Sequence, residues 1–136
     1  MSDAEKVNNF LEECGVFYLA SEDGDQAKVR PLGLHFVYND KVYFGVGTAK
    51  EVYKQITENP KVEIAATKPD ASLWIRYYGE AEFDDDPVLL EKVFETIPDL
   101  KQIYNEETGL TLGVFSLANA TAEIRSMMAV EEKIEF

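Results

Sequence analysis

A chain of 136 residues has room for one core but not for a separate dinucleotide-binding domain, so any cofactor and any substrate must share one fold. Its 13 Lys and Arg stand against 26 Asp and Glu, a net charge of −13, which excludes nucleic acid and anionic membranes as general partners because both need a broad basic surface. No apolar run approaches a membrane span, the N-terminus lacks the pattern of a secretory signal, and the one cysteine, Cys14, has no intrachain partner, so a cytoplasmic protein is expected.

The spacing predicts a first helix over residues 3–14, opened by the capping box Ser2-x-x-Glu5 and stopped at Gly15. Cys14 falls on its apolar face with Val7, Phe10 and Leu11, which makes it a small buried hydrophobe rather than a nucleophile. Residues 17–21 and 27–38 read as strands around the turn Glu22-Asp23-Gly24-Asp25, and Asn39-Asp40 turns the chain into a strand over 41–46. Pro31 removes a ladder donor, so it should mark an edge, a bulge or a place where a ligand replaces a strand partner. His35 is the only histidine, which rules out a His-cluster metal site. It is read as structural or outward-facing, the alternative being a place beside a ligand.

Thr48 is expected to cap a helix over residues 49–58, from the spacing Thr48-x-x-Glu51 and the stop Asn59-Pro60. The free amides and positive dipole end of such a helix would attract a phosphate that Lys50 can neutralise, with Lys54 one turn further on. Strands over 62–67 and 72–83 follow. On the second, Trp74, Arg76 and Tyr78 face one way and Ile75 and Tyr77 the other, so one face is core and Trp74 and Arg76 are interface candidates. Asp84-Asp85-Asp86-Pro87 reads as a helix start, with Asp86 as cap, rather than a metal site. Leu90, Val93, Phe94 and Ile97 give that helix an apolar face, Pro98 breaks it, and a short helix runs to about Asn105. The last strands are placed at 111–117 and 121–126, with a short tail over 133–136.

The cations grouped between residues 27 and 55 of so acidic a chain point to a local anion. The order of segments is also distinctive: Gly15-Val16-Phe17-Tyr18-Leu19-Ala20, Val29-Arg30-Pro31-Leu32-Gly33, Val42-Tyr43-Phe44, then Lys50-x-Val52-Tyr53-Lys54-Gln55-Ile56-x-x-Asn59-Pro60-x-Val62-Glu63-Ile64. Over nearly the whole chain, including the strand 73–83 and the closing Ile134-Glu135-Phe136, this closely resembles the pyridoxamine 5′-phosphate oxidase-like family of FMN-binding split barrels. The resemblance implies a mainly β fold with helices, a six-stranded antiparallel split β-barrel that forms a homodimer with one FMN in each of two clefts at the subunit interface. It places Arg30, Pro31 and Leu32 along the isoalloxazine and ribityl chain, Lys50 at the phosphate, and Tyr53, Lys54 and Gln55 near the cleft. Arg offers a fork of donors and Lys a compact charge, which suits those places, whereas a surface ion pair would be the plainer use of Arg30.

Members of the family often carry a hydroxyl pair just before the phosphate-binding helix. Val46 and Gly47 stand there instead, leaving Thr48 as the only nearby hydroxyl, although Gly47 lets backbone N–H groups approach an oxyanion closely. The implied function is a flavin-dependent oxidoreductase acting on an unidentified small molecule. The flavin carries the chemistry, so no catalytic residue is singled out. Pyridoxamine 5′-phosphate oxidase activity itself is not expected, because the chain is short and lacks basic residues for a second phosphate. The alternatives are a non-enzymatic flavin storage or sensing module, and a split barrel that binds haem or a deazaflavin, haem being disfavoured by the single imidazole.

Overall fold

A computed structural model describes residues 1–136. Eight antiparallel strands and three α-helices follow one another as α1 (Asp3–Cys14), β1 (Phe17–Asp23), β2 (Gln26–Leu32), β3 (His35–Tyr38), β4 (Lys41–Gly47), α2 (Glu51–Glu58), β5 (Lys61–Thr67), β6 (Trp74–Phe83), α3 (Pro87–Thr96), a 3-10 turn (Pro98–Gln102), β7 (Leu112–Arg125) and β8 (Val130–Glu135). The strands pair in the order β2-β1-β5-β6-β7-β4-β3, and β8 adds to β7. The count is therefore eight where the resemblance implied six.

The division of one strand has a topological cause. Residues 27–38 read as one strand, but β2 pairs only with β1 and β3 only with β4, at opposite edges of the sheet. The chain must leave one edge and join the other, and it does so at Gly33 and Leu34. Conversely, the two strands read over 111–126 are one strand, β7, whose first half carries β4 and whose second half carries β8. It bends rather than breaks at Asn119, which has φ 51°, opposite a bulge at Gly79. The backbones touch there: a Cβ on Gly79 would lie 2.7 Å from the Ala118 carbonyl oxygen. The tail is β8, held by pairs from Thr121↔Glu135 to Arg125↔Val130. Pro31 sits on the edge strand β2, a place that tolerates a missing N–H better than a central strand does.

Inward residues at period two supply the barrel core. Phe17, Phe44 and Phe115 are fully buried, and the Phe44 ring lies 5.4 Å from Phe17 and 5.7 Å from Phe115. Helix α1 closes one end with Val7 and Leu11, capped as expected by the Ser2 hydroxyl accepting from Glu5 N–H. Helix α2 packs Val52 and Ile56 on the same core. Helix α3 begins with Asp86 as cap and Pro87 in its first turn, as read. Its buried contacts are Leu89 and Val93, one turn apart, on a second cluster with Phe36, Tyr43 and Val114. Leu90, assigned to that face from the sequence, points outward because its position lies about 100° round the helix from Leu89.

His35 is buried against α1. Its Nδ1 stands 2.6 Å from the Asn8 side-chain amide and its Nε2 3.2 Å from the Glu12 carboxylate, with Phe17 edge-on to the ring. Burial holds its pKa below the ordinary 6.5, and Glu12 pulls only partly back. The Asn8 atom facing Nδ1 is the amide oxygen, which accepts from Nδ1–H. A depressed folded-state pKa means that the unfolded chain binds the proton first. The stabilisation is thus complete above pH 6.5 and is lost as pH falls through that value toward the folded pKa. The urea midpoint of the native chain should therefore fall further than that of His35→Gln between pH 7.5 and 5. An equal fall in the two would show that the imidazole is not the group responsible.

Candidate functional site

A cleft of about 660 Å³ opens between the end of β2, the end of β4, the start of α2 and the segment from Ile97 to Tyr104. It brings together Arg30, Pro31, Leu32, Val46, Gly47 and Lys50 of the residues singled out from the sequence. Val46 borders it, but its side chain is buried in the barrel core. A second cavity of about 490 Å³ lies beside β1, β5 and β6, where Glu22, Glu63 and Glu80 outnumber Lys61. Its acidic lining is unsuited to an anion.

Arg30 reaches the first cleft through a clasp of neutral groups. One guanidinium nitrogen donates to Ser21 Oγ at 2.7 Å and the Leu19 carbonyl at 3.2 Å, and the other donates to Gln55 Oε1 at 2.7 Å. Ser21 Oγ–H also donates to Gln55 Oε1, at 2.7 Å. Ser21 and Gln55 are themselves buried, so the fork is fixed on two elements at once, β1 and α2. Arg30 forms no ion pair with any carboxylate, and neither does Lys50. Burial depresses the Arg30 pKa, though a guanidinium stays charged at neutral pH. Two cations without counter-ions thus line one cleft in a chain of net charge −13.

The start of α2 differs from its reading. Lys50, not Thr48, holds the N-cap position, and it makes no side-chain cap bond. Thr48 is drawn away by the residue just before β7: its N–H donates to the Thr111 carbonyl at 3.0 Å and its hydroxyl meets the Thr111 side chain and carbonyl. Glu51 is the first helical residue. Tyr53 packs edge-on to Phe83 at 5.0 Å and lies outside the cleft, as does Lys54, which is exposed. Gln55 acts on the cleft only through Arg30. Trp74 and Arg76 lie away from it on the outer sheet face, where Arg76 stacks on Trp74 and its Nε lies 3.0 Å from Glu63, out of line for a hydrogen bond.

One residue that holds Arg30 and one that lines the cleft escaped the sequence reading. Ser21 had a signal: it is a polar residue at an inward position of β1, in step with Phe17 and Leu19, where it needs a buried partner. Tyr104 had none, because only the fold brings it onto Gly47. A Cβ on residue 47 would lie 2.8 Å from the Tyr104 hydroxyl.

No helix of the structure is long and apolar enough to cross a membrane. A comparison with curated proteins gives no significant match. Among solved structures, the chain is 35% identical to a NimC/NimA family protein from Clostridium acetobutylicum, covering 100% of this chain and 95% of that one with a TM-score of 0.89. A pyridoxamine 5′-phosphate oxidase-related, FMN-binding protein from Nostoc punctiforme shares the fold at 14% identity and a TM-score of 0.68, covering 96% of this chain and 87% of that one. A haem-binding protein from Mycobacterium smegmatis does so at 14% identity and 0.69, covering 100% of this chain and 58% of that one. The family model for pyridoxamine 5′-phosphate oxidase matches residues 4–123, which takes in every strand that builds the cleft, and the chain belongs to the pyridoxamine 5′-phosphate oxidase-like split-barrel family.

Proposed function

We propose that this protein binds FMN in the cleft between β2, β4 and α2 and acts as a flavin-dependent oxidoreductase on a small molecule, as a cytoplasmic homodimer. The observation that carries the reading is the pair of cations without counter-ions, Arg30 and Lys50, in one cleft of a strongly acidic chain. An arginine clasped by Ser21 and Gln55 keeps its charge while losing hydration, a cost that an anionic or electron-rich ligand offsets. Leu32, Leu34 and Leu100 add apolar wall for a flat ring, and the Gly47 backbone allows close approach at the end near Lys50. When bound, FMN supplies the electron or hydride chemistry, while the chain's own residues bind, orient and screen it.

The competing ligands fit less well. Haem needs an axial donor, and His35 is turned to α1, engaged by Asn8 and Glu12. The pyridoxamine 5′-phosphate oxidase reaction would bring a second phosphate, for which the cleft has no cation beyond Arg30 and Lys50. Dimerisation is favoured by the exposed Tyr18 and Val29 on the β1–β2 face, close to the strand carrying Trp74 and Arg76.

Purified protein loaded with FMN and freed of unbound ligand tests the reading. Flavin absorbance retained at the mass of a dimer is the expected result, and a colourless protein sinks the cofactor assignment. Lys50→Ala should raise the FMN dissociation constant about three- to tenfold, the worth of one exposed charge on a phosphate. An unchanged constant removes Lys50 from the site. Anaerobic mixing with reduced nicotinamide cofactor then separates an enzyme, whose flavin bleaches, from a storage or sensing module, whose flavin does not.

A further inference from the structure

The loop before α2 has no hydroxyl to offer the cleft. Val46 is apolar and buried, Gly47 has no side chain, and the Thr48 hydroxyl is engaged with Thr111. The space that a side chain on residue 47 would fill is taken from across the fold. The Tyr104 hydroxyl lies 2.8 Å and its ring carbon Cε1 3.5 Å from that Cβ position, and Lys50 Cγ lies 3.5 Å from the same point. A phenol O–H, a lysine stem and a glycine backbone therefore meet in one small volume on the cleft wall.

We propose that Tyr104 is a ligand-binding residue, its hydroxyl donating to the anionic group held between Gly47 and Lys50. The inference rests on the reading of the cleft as a phosphate-bearing cofactor site. Of the seven tyrosines only Tyr104 lines the cleft, and its hydroxyl, set against Gly47, has no hydrogen-bond partner in the chain. The backbone that presents the ring is fixed: Tyr104 N–H donates to the Leu100 carbonyl at 2.9 Å. The next turn is closed by Thr108 N–H donating to Asn105 Oδ1 and by Thr108 Oγ–H donating to the Ile103 carbonyl. A neutral donor suits the place, since a phosphate monoester has more acceptor positions than one lysine can fill. The hydroxyl absent from β4 is thus supplied by the segment after α3.

Tyr104→Phe tests this by fluorescence titration with FMN and with riboflavin, which lacks the phosphate. The expected result is an FMN dissociation constant about tenfold higher or more, with riboflavin binding and the urea midpoint unchanged. Equal weakening of both flavins would make Tyr104 a ring-packing residue and overturn the proposal, as would an FMN constant that does not move. Failure of the native protein to bind FMN at all would instead sink the cofactor reading itself, and the inference with it. Gly47→Ala provides a second check, because its methyl displaces the hydroxyl. Alone it should weaken FMN to a similar degree, and in the Tyr104→Phe background it should add little. Additive losses would place the Gly47 effect elsewhere and overturn the shared site.

Discussion

Arg30→Ala should raise the FMN dissociation constant by about a hundredfold, so that flavin no longer survives gel filtration with the protein. A partly desolvated guanidinium held by neutral partners can give its remaining donors to a ligand, and each hydrogen bond from a charged group contributes about 1.5–3 kcal/mol. The cost to folding is small by comparison. With Arg30 gone, Ser21 Oγ–H still donates to Gln55 Oε1, so neither buried side chain is orphaned. The effect should exceed that of Lys50→Ala because Lys50 is exposed and unclasped. Arg30→Lys should recover only part of the affinity, since an ammonium cannot span Ser21, Gln55 and a ligand together. The readout is flavin fluorescence titration with a parallel urea midpoint. A constant within threefold of the native one, at unchanged stability, would reduce Arg30 to a clasp between β1 and α2.

The second large effect concerns the barrel itself. Phe115→Ala should cost about 3–5 kcal/mol of unfolding free energy, a large share of the roughly 5–15 kcal/mol that holds such a domain together. Phe115 is fully buried on β7 at the place where that strand pairs with both β4 and β6. Its ring lies 5.7 Å from Phe44 and 5.4 Å from Phe83, and Phe83 in turn lies 5.0 Å from Tyr53 of α2. Removing it empties the point where the two sheet halves and the helix beside the cleft lean on one another, and those backbones cannot collapse to fill it. Urea denaturation monitored by Trp74 fluorescence measures the loss. A decrease below about 1 kcal/mol would mean that the centre of the barrel repacks freely.

The elements were legible wherever a local rule decided them. Helix α1 matched its capping box and glycine stop, α3 its Asp86-Pro87 start, and β6 its alternation, with Ile75 and Tyr77 buried and Trp74, Arg76 and Tyr78 turned outward. Local rules failed where a distant strand competed for the same group. The capping box Thr48-x-x-Glu51 is sound by spacing, but Thr111, just before β7, takes the Thr48 N–H and hydroxyl, so the helix starts later. The strand over 27–38 was read as one despite Pro31 and Gly33, and pairing to opposite sheet edges divides it at Gly33 and Leu34. In the candidate site, Lys50 was picked out as a cation at a helix start and Arg30 through the family resemblance, whereas Ser21 was missed although it is a polar residue on an inward strand position. Tyr104 offered nothing to read, since its meaning comes from a glycine 57 positions away.

The sequence by itself determined the mainly β class, the positions of the helix ends that cap themselves, the family and the acidic charge that makes two cations conspicuous. These follow from short-range physics and composition, which need no knowledge of neighbours in space. Only the tertiary structure decided that Arg30 is clasped by neutral groups rather than by an acid, that Gln55 serves the cleft at second hand, that His35 belongs to the α1 packing, and that a tyrosine from beyond α3 fills the hollow over Gly47. Each of these is a contact between residues far apart in the chain, and its partner is chosen by strand order and register rather than by any local preference.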